Sequence, residues 1–276
     1  MGWRGSLALD YRRQNGRTLV HDRHDGPLRV LRPLYPEGDG VCHSVLVHPP
    51  GGIVGGDALA IELSLGEGAH ALLTTPGATR FYRSSGATAT QTLRVVAAAA
   101  SRLEWLPLET IAYSGCEAGN ALAFELAAGA ETIGWDVTAL GLPESDRPFD
   151  AGRFTQSIEL PGRWLERGTI AGADTRLLDS PLGWAGRRVL ATMWFAAGDA
   201  LAAARGDALL EAARDAARAH ALAATTGATS PQAGVIVVRV LAERVEPAMD
   251  LLRRIWHAWR PIAWGLAATP PRVWST

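Results

Sequence analysis

Cys42, His43 and His48 place a thiol and two imidazoles close together in the chain. Asp57 adds a carboxylate at the end of the run His48-Pro49-Pro50-Gly51-Gly52-Ile53-Val54-Gly55-Gly56-Asp57. Thiolate, imidazole and carboxylate all ligate divalent metals. Residues 42 and 43 of a strand face opposite sides, however, so they share an ion only across a bend. The glycine run invites a phosphate-loop reading, but its glycines lack the spacing of a dinucleotide fingerprint. Asp57 and Ala58 stand where a Walker loop needs lysine and a hydroxyl. A carboxylate there also disfavours a backbone anion nest. The content of the run is structural. Pro49-Pro50 stiffens the entry, and Gly51, Gly52, Gly55 and Gly56 permit positive φ or close backbone approach. Asp57 precedes the apolar stretch Ala58-Leu59-Ala60-Ile61. In such a setting it must be paired, bonded to glycine amides or turned toward a wet channel.

No signature of catalysis accompanies these residues. His21, His24, His43, His48, His70, His220 and His257 are scattered, and neither H-E-x-x-H nor G-x-S-x-G occurs. A metal-dependent hydrolase built on His48 and Asp57 therefore lacks support, and no catalytic residue is assigned. Cys42 and Cys116 form no CxxC pair, which argues against structural zinc and for a reducing, cytoplasmic setting. A formal net charge of −1 gives no attraction to nucleic acid or to an anionic membrane. No apolar run approaches the length of a membrane span. Residues 1–6 are not followed by the apolar core of a signal peptide.

The elements that must hold these residues read as short strands. Leu122, Phe124 and Leu126 alternate, as do Ile133, Trp135, Val137 and Ala139, and less cleanly Phe154, Gln156, Ile158 and Leu160. Glycine and proline separate these runs. Val235 to Leu241 is almost wholly apolar, as in a strand covered on both faces. Two helices break the rhythm, at about 207–224 and 247–259. The first has i,i+3 pairs Glu211–Arg214 and Asp215–Arg218. The second starts on Pro247, carries the stripe Met249, Leu252, Trp256 and Trp259, and is expected to stop at Pro261. The expected architecture is mainly β, a single domain over 1–276, with sheets in two layers or a β-solenoid and both helices in the C-terminal third.

The segment His48–Asp57 resembles the most characteristic motif of the UreD (UreH) urease accessory family. Downstream, Thr74-Thr75-Pro76-Gly77-Ala78-Thr79-Arg80-Phe81-Tyr82-Arg83-Ser84-Ser85-Gly86 is similar to a second block of that family. Leu103-Glu104-Trp105-Leu106-Pro107 with Thr110-Ile111 resembles a third, and Ile255-Trp256, Arg260-Pro261 and Pro271-Arg272-Val273-Trp274 resemble its close. The likeness thus runs in order along nearly the whole chain. One stretch departs: from Gly141-Leu142-Pro143 to Phe154 the glutamate usual in the family is not in its place.

The resemblance implies a β-rich, non-catalytic scaffold with no tightly bound cofactor. Such a protein docks on apo-urease subunits, recruits UreF and the GTPase UreG, and passes Ni²⁺ through an internal route. A homodimer within the accessory complex is compatible with it. A conduit must hold its ion weakly at several points, because a complete cage would trap it. The candidates are isolated acids in apolar or glycine-rich settings: Asp57, then Asp136 after Trp135, then Glu166 between Leu165 and Arg167. Ser84 and Ser85 offer neutral oxygens, and Cys42, His43 and His48 form a second candidate group. The alternative is a structural adaptor in which Asp57 caps its loop and Glu166 pairs with Arg163 or Arg167.

Overall fold

The computed structural model describes residues 2–275. The chain opens with β1 (Arg4–Gln14), β2 (Arg17–Asp25), β3 (Arg29–Val30), β4 (Val41–Val47), β5 (Ala58–Leu65) and β6 (His70–Thr74). It continues through β7 (Thr79–Phe81), β8 (Ala89–Ala97), β9 (Arg102–Trp105), β10 (Thr110–Ala112), β11 (Cys116–Leu126) and β12 (Glu131–Leu140). Then follow β13 (Gly152–Leu160), β14 (Trp164–Ala171), α1 (Thr175–Asp179) and β15 (Val189–Ala197). The last elements are α2 (Ala203–Arg218), β16 (Thr226–Gln232), β17 (Val235–Ala242) and α3 (Val245–Trp264).

Two sheets result. The first has the order β14-β13-β11-β8-β5-β1-β2, and the second runs β16-β17-β15-β12-β9-β6-β4-β3, with β10 and β7 attached beside β12. From β4 to β13 the chain alternates between them, laying β5, β8, β11 and β13 side by side in parallel in one sheet. It lays β4, β6, β9 and β12 in parallel in the other. Each pass adds one strand to each sheet, which is the winding of a β-solenoid, as expected. Antiparallel β14, β15, β17 and β16 then extend the winding at one end.

The alternation of side chains along β12 separates two cores. Ile133, Trp135, Val137 and Ala139 pack outward under α2 and α3, with Met249, Leu252, Trp256 and Trp259 of α3 against them. Asp136 and Thr138 point the other way, into the space between the sheets. There Leu7, Leu9, Ile61, Leu93, Leu122 and Phe154 form the inner core. Among the described residues no helix is long and apolar enough to cross a membrane.

The helices differ in extent from expectation. α2 starts earlier, at Ala203, and stops at Arg218, because the His220 imidazole accepts the Leu222 N–H and takes over from the helix ladder. Its two expected ion pairs are present. α3 passes through Pro261 to Trp264. A proline removes only its own N–H bond, while Trp264 holds the last turn by donating to Glu131 at 2.6 Å. Gly265, at φ 65°, then closes the helix. The single turn α1 was not apparent from periodicity; Asp174 caps it by accepting from the Leu177 N–H at 3.0 Å.

Candidate functional site

Each glycine of the loop after β4 has a definable task. Gly51 and Gly56 sit at φ 75° and 93°, where a β-carbon is strained. Gly52 and Gly55 lie where a β-carbon would come 1.9 Å from the Tyr82 ring and 2.2 Å from the Ser84 hydroxyl. The loop is thereby laid flat on the segment after β7, and Ile53 bridges to Phe81. Asp57 secures its end: one carboxylate oxygen accepts the Trp3 N–H at 2.7 Å and the other the Val54 N–H at 3.1 Å. Ser84 accepts the Gly86 N–H at 3.0 Å and donates to the Ala87 carbonyl at 2.5 Å. Ser85 is exposed.

Beside this loop lies a cavity of about 180 Å³ between the two sheets. Its lining includes His48, Gly51, Gln91, Trp105, Asn120 and Asp136. Burial lowers the His48 pKa, and the Asp57 carboxylate opposes that only in part. Asp136 is 4% exposed. Burial pushes its carboxyl up to about 6, helped by the charge of Glu166 and opposed by neutral donors. Those donors are Gln156, Asn120 at 3.0 Å and Thr138 at 3.3 Å. Gln91 backs the set by donating to Asn120 at 3.3 Å.

From Asp136 a polar row crosses the second sheet. Asp136 is the ladder partner of Thr192 on β15, and Thr192 of Arg239 on β17. Glu166, on β14 of the first sheet, reaches over to this row. It accepts from the Thr192 hydroxyl at 2.8 Å and, with its other oxygen, from Arg239 Nε at 2.7 Å. Exposure rises along the row: Thr192 is buried, whereas the Glu166 and Arg239 side chains are 21% and 48% exposed. Asp136 and Glu166 are thus brought to one line, and His48 to the cavity at its inner end. Arg163 and Arg167 point elsewhere, to the Ala197 carbonyl and to Ser157.

Cys42, His43 and His48 do not converge. Cys42 faces the inner core, with its sulfur 4.0 Å from the Ser44 hydroxyl, and burial raises its pKa. His43 faces outward and meets Glu37 at 2.7 Å. Among the described residues no three histidine, cysteine or acidic side chains gather into a metal-binding group.

His43 belongs instead to a buried charge cluster that sequence patterning missed. Arg260 of α3 donates to Glu37 at 2.7 Å, to Glu104 of β9 at 3.1 Å and to the Ala267 carbonyl. Glu104 also meets His70 at 2.8 Å and accepts from Trp256 at 2.6 Å. Burial would raise the Glu104 pKa, but His70, Arg260 and Trp256 together hold it below the usual value. Glu37 is lowered likewise by His43 and Arg260. The signal lay in two segments far apart in the chain, Leu103-Glu104-Trp105 and Arg260-Pro261, which nothing local connects.

The profile of the family described as "UreD urease accessory protein" matches residues 4–275. A protein named urease accessory protein UreD from Albidiferax ferrireducens is 59% identical over 275 residues, spanning 100% of both chains. Proteins of the same name from Paracidovorax citrulli and Leptothrix cholodnii are 60% and 59% identical, again with 100% of both chains covered. With the family profile spanning the chain and relatives this similar along their whole length, the protein belongs to the UreD urease accessory family and has a role in urease maturation.

Proposed function

We propose that this protein is a non-catalytic, cytoplasmic maturation scaffold that docks on apo-urease, joins UreF and the GTPase UreG, and hands Ni²⁺ along the polar row between its sheets. One observation carries the metal part. Asp136 is a buried carboxyl whose direct partners are neutral donors, at the inner end of a row that reaches the surface at Glu166 and Arg239. A buried carboxylate without a cationic partner is unfavourable, and a divalent ion passing it relieves that penalty. Single carboxyl contacts flanked by amides and hydroxyls hold Ni²⁺ weakly, as a hand-over requires. His48, on the wall of the same cavity, supplies an imidazole contact there.

The test is activation of apo-urease in a reconstituted mixture with UreF, UreG, GTP and Ni²⁺. Asp136→Ala with Glu166→Ala is expected to assemble the complex yet lower the nickel content of urease severalfold. Full nickel loading by that variant would end the route reading. The adaptor reading draws support from Asp57, both of whose oxygens hold backbone N–H groups. On that reading Asp57→Ala lowers complex assembly and nickel loading in the same proportion.

A further inference from the structure

Resting on the reading of Glu166 as a contact of the metal route, we propose that Arg239 is an exchange gate: it occupies the Glu166 carboxylate until an arriving divalent cation displaces it into solvent. Both Glu166 oxygens are engaged. One accepts from Thr192 at 2.8 Å, and the other accepts Nε of Arg239 at 2.7 Å together with a terminal guanidinium nitrogen. A cation reaching Glu166 from Asp136 therefore meets a carboxylate whose outward oxygen carries a positive charge. It can bind there only in exchange for that charge. The Thr192 bond leaves the carboxylate oriented when the guanidinium departs.

The surroundings of Arg239 suit such movement. Its side chain is 48% exposed, so the freed guanidinium is rehydrated and its ion pair is weakened by solvent. Its ladder partner on the outer side is Gly227, above which there is open space. Gly227 and Arg239 share a shallow hollow with Trp184, Leu190 and Leu241, along which the aliphatic stem can lie. Arg260 makes the contrast. It is fully buried and tied to Glu37, Glu104 and the Ala267 carbonyl, with nowhere to go. Of the arginine–glutamate pairs that touch the second sheet, Arg239 with Glu166 stands at the end of the polar row and has the most exposed arginine, against 29% for Arg205 with Glu131 and 0% for Arg260. The exchange breaks and makes no covalent bond; a divalent charge replaces a monovalent one on the same oxygen.

Isothermal titration of the full chain with Ni²⁺ tests the gate. Arg239→Met and Arg239→Gln, each checked for an unchanged thermal midpoint, are expected to bind Ni²⁺ about tenfold more tightly than the unaltered protein. Adding Glu166→Gln should remove that gain, and Arg239→Lys, which keeps a charge on a similar stem, should show little of it. Unchanged affinity in both neutral variants, or a gain that survives Glu166→Gln, overturns the gate. The route reading fails separately. If Glu166→Gln still yields fully nickel-loaded urease, the route falls and takes the gate with it. If Glu166→Gln impairs loading while the neutral variants bind Ni²⁺ no better, the gate falls and the route stands.

Discussion

The two faces of the second sheet each carry buried ionisable groups, and they resolve them in opposite ways. On the outer face, under α3, Glu37 and Glu104 are met by Arg260, His43 and His70. The Arg260 guanidinium is shared by both carboxylates, the His43 and His70 imidazoles meet them at 2.7 and 2.8 Å, and the Trp256 N–H donates to Glu104. On the inner face, the hydrogen-bond partners of Asp136 among the described residues are Asn120, Thr138 and Gln156. The same side-chain chemistry is thus closed on one face and open on the other. A closed set fixes geometry, since removing any member leaves another charge unpaired. An open carboxyl stores an unfavourable interaction that a cation can relieve, which is a property of a site rather than of a brace.

The largest expected effect falls on the closed face. Glu104→Ala strips partners from Arg260, His70 and Trp256 at once. Arg260 keeps Glu37, but a buried set that loses one of its two carboxylates should lose roughly 3–5 kcal/mol of stability. Urea unfolding followed by tryptophan fluorescence measures it. A loss below about 1 kcal/mol would show that water or a rearranged Glu37 completes the set, and the contrast between the faces would vanish.

The open face should respond with the opposite sign. A carboxyl whose folded pKa is raised, here to about 6, favours the fold only while protonated. That contribution is complete below the unfolded pKa and is lost as pH rises through about 6. Asp136→Asn, which cannot ionise, should therefore be more stable than the unaltered protein at pH 7.5, by on the order of 2 kcal/mol. The difference should fade toward pH 4. Thermal midpoints across that range test it, and a variant destabilised at pH 7.5 would mean that Asp136 is already neutralised there. Asp57→Ala tests a residue that is neither open nor paired. Losing the acceptor for two backbone N–H groups should cost roughly 1–3 kcal/mol at neutral pH. An effect below about 0.5 kcal/mol would show that water replaces those bonds and that the loop stands without them.

How much of this was legible in the chain follows from the range over which each signal acts. Period-two alternation placed β11, β12 and, less cleanly, β13, and a nearly continuous apolar run placed β17, because strand burial is written in adjacent residues. The parallel winding was not readable in detail, since which strand lies beside which depends on contacts between distant segments. α3 was expected to end at Pro261; the hydrogen bond from Trp264 to Glu131 carries it one turn further. Asp136 was flagged by its neighbour Trp135, but nothing local showed that Asn120, Gln156 and Thr192 would surround it. Glu166 was matched with Arg163 or Arg167, the cations beside it in sequence, whereas the fold supplies Arg239 from another sheet. Glu104 and Arg260 stood inside recognisable motifs, yet their pairing appears only once α3 crosses the sheet.

The smallest expected effect isolates burial as the cause of the contrast. Arg94 of β8 and Glu125 of β11 form an arginine–glutamate pair at 2.9 Å, with side chains 65% and 47% exposed. Chemically it repeats Arg260 with Glu104, which is 0% exposed on both sides. In water the Coulomb gain is screened and two long side chains must be held in place to collect it. Either partner left alone is simply rehydrated. Arg94→Ala should then change stability by less than about 0.5 kcal/mol, and by less still at high salt. If Arg94→Ala instead costs as much as Glu104→Ala, the weight of the cluster under α3 comes from the pair itself and not from its exclusion from water. Asp136, equally secluded but without a cation, would then lose its claim to be strained.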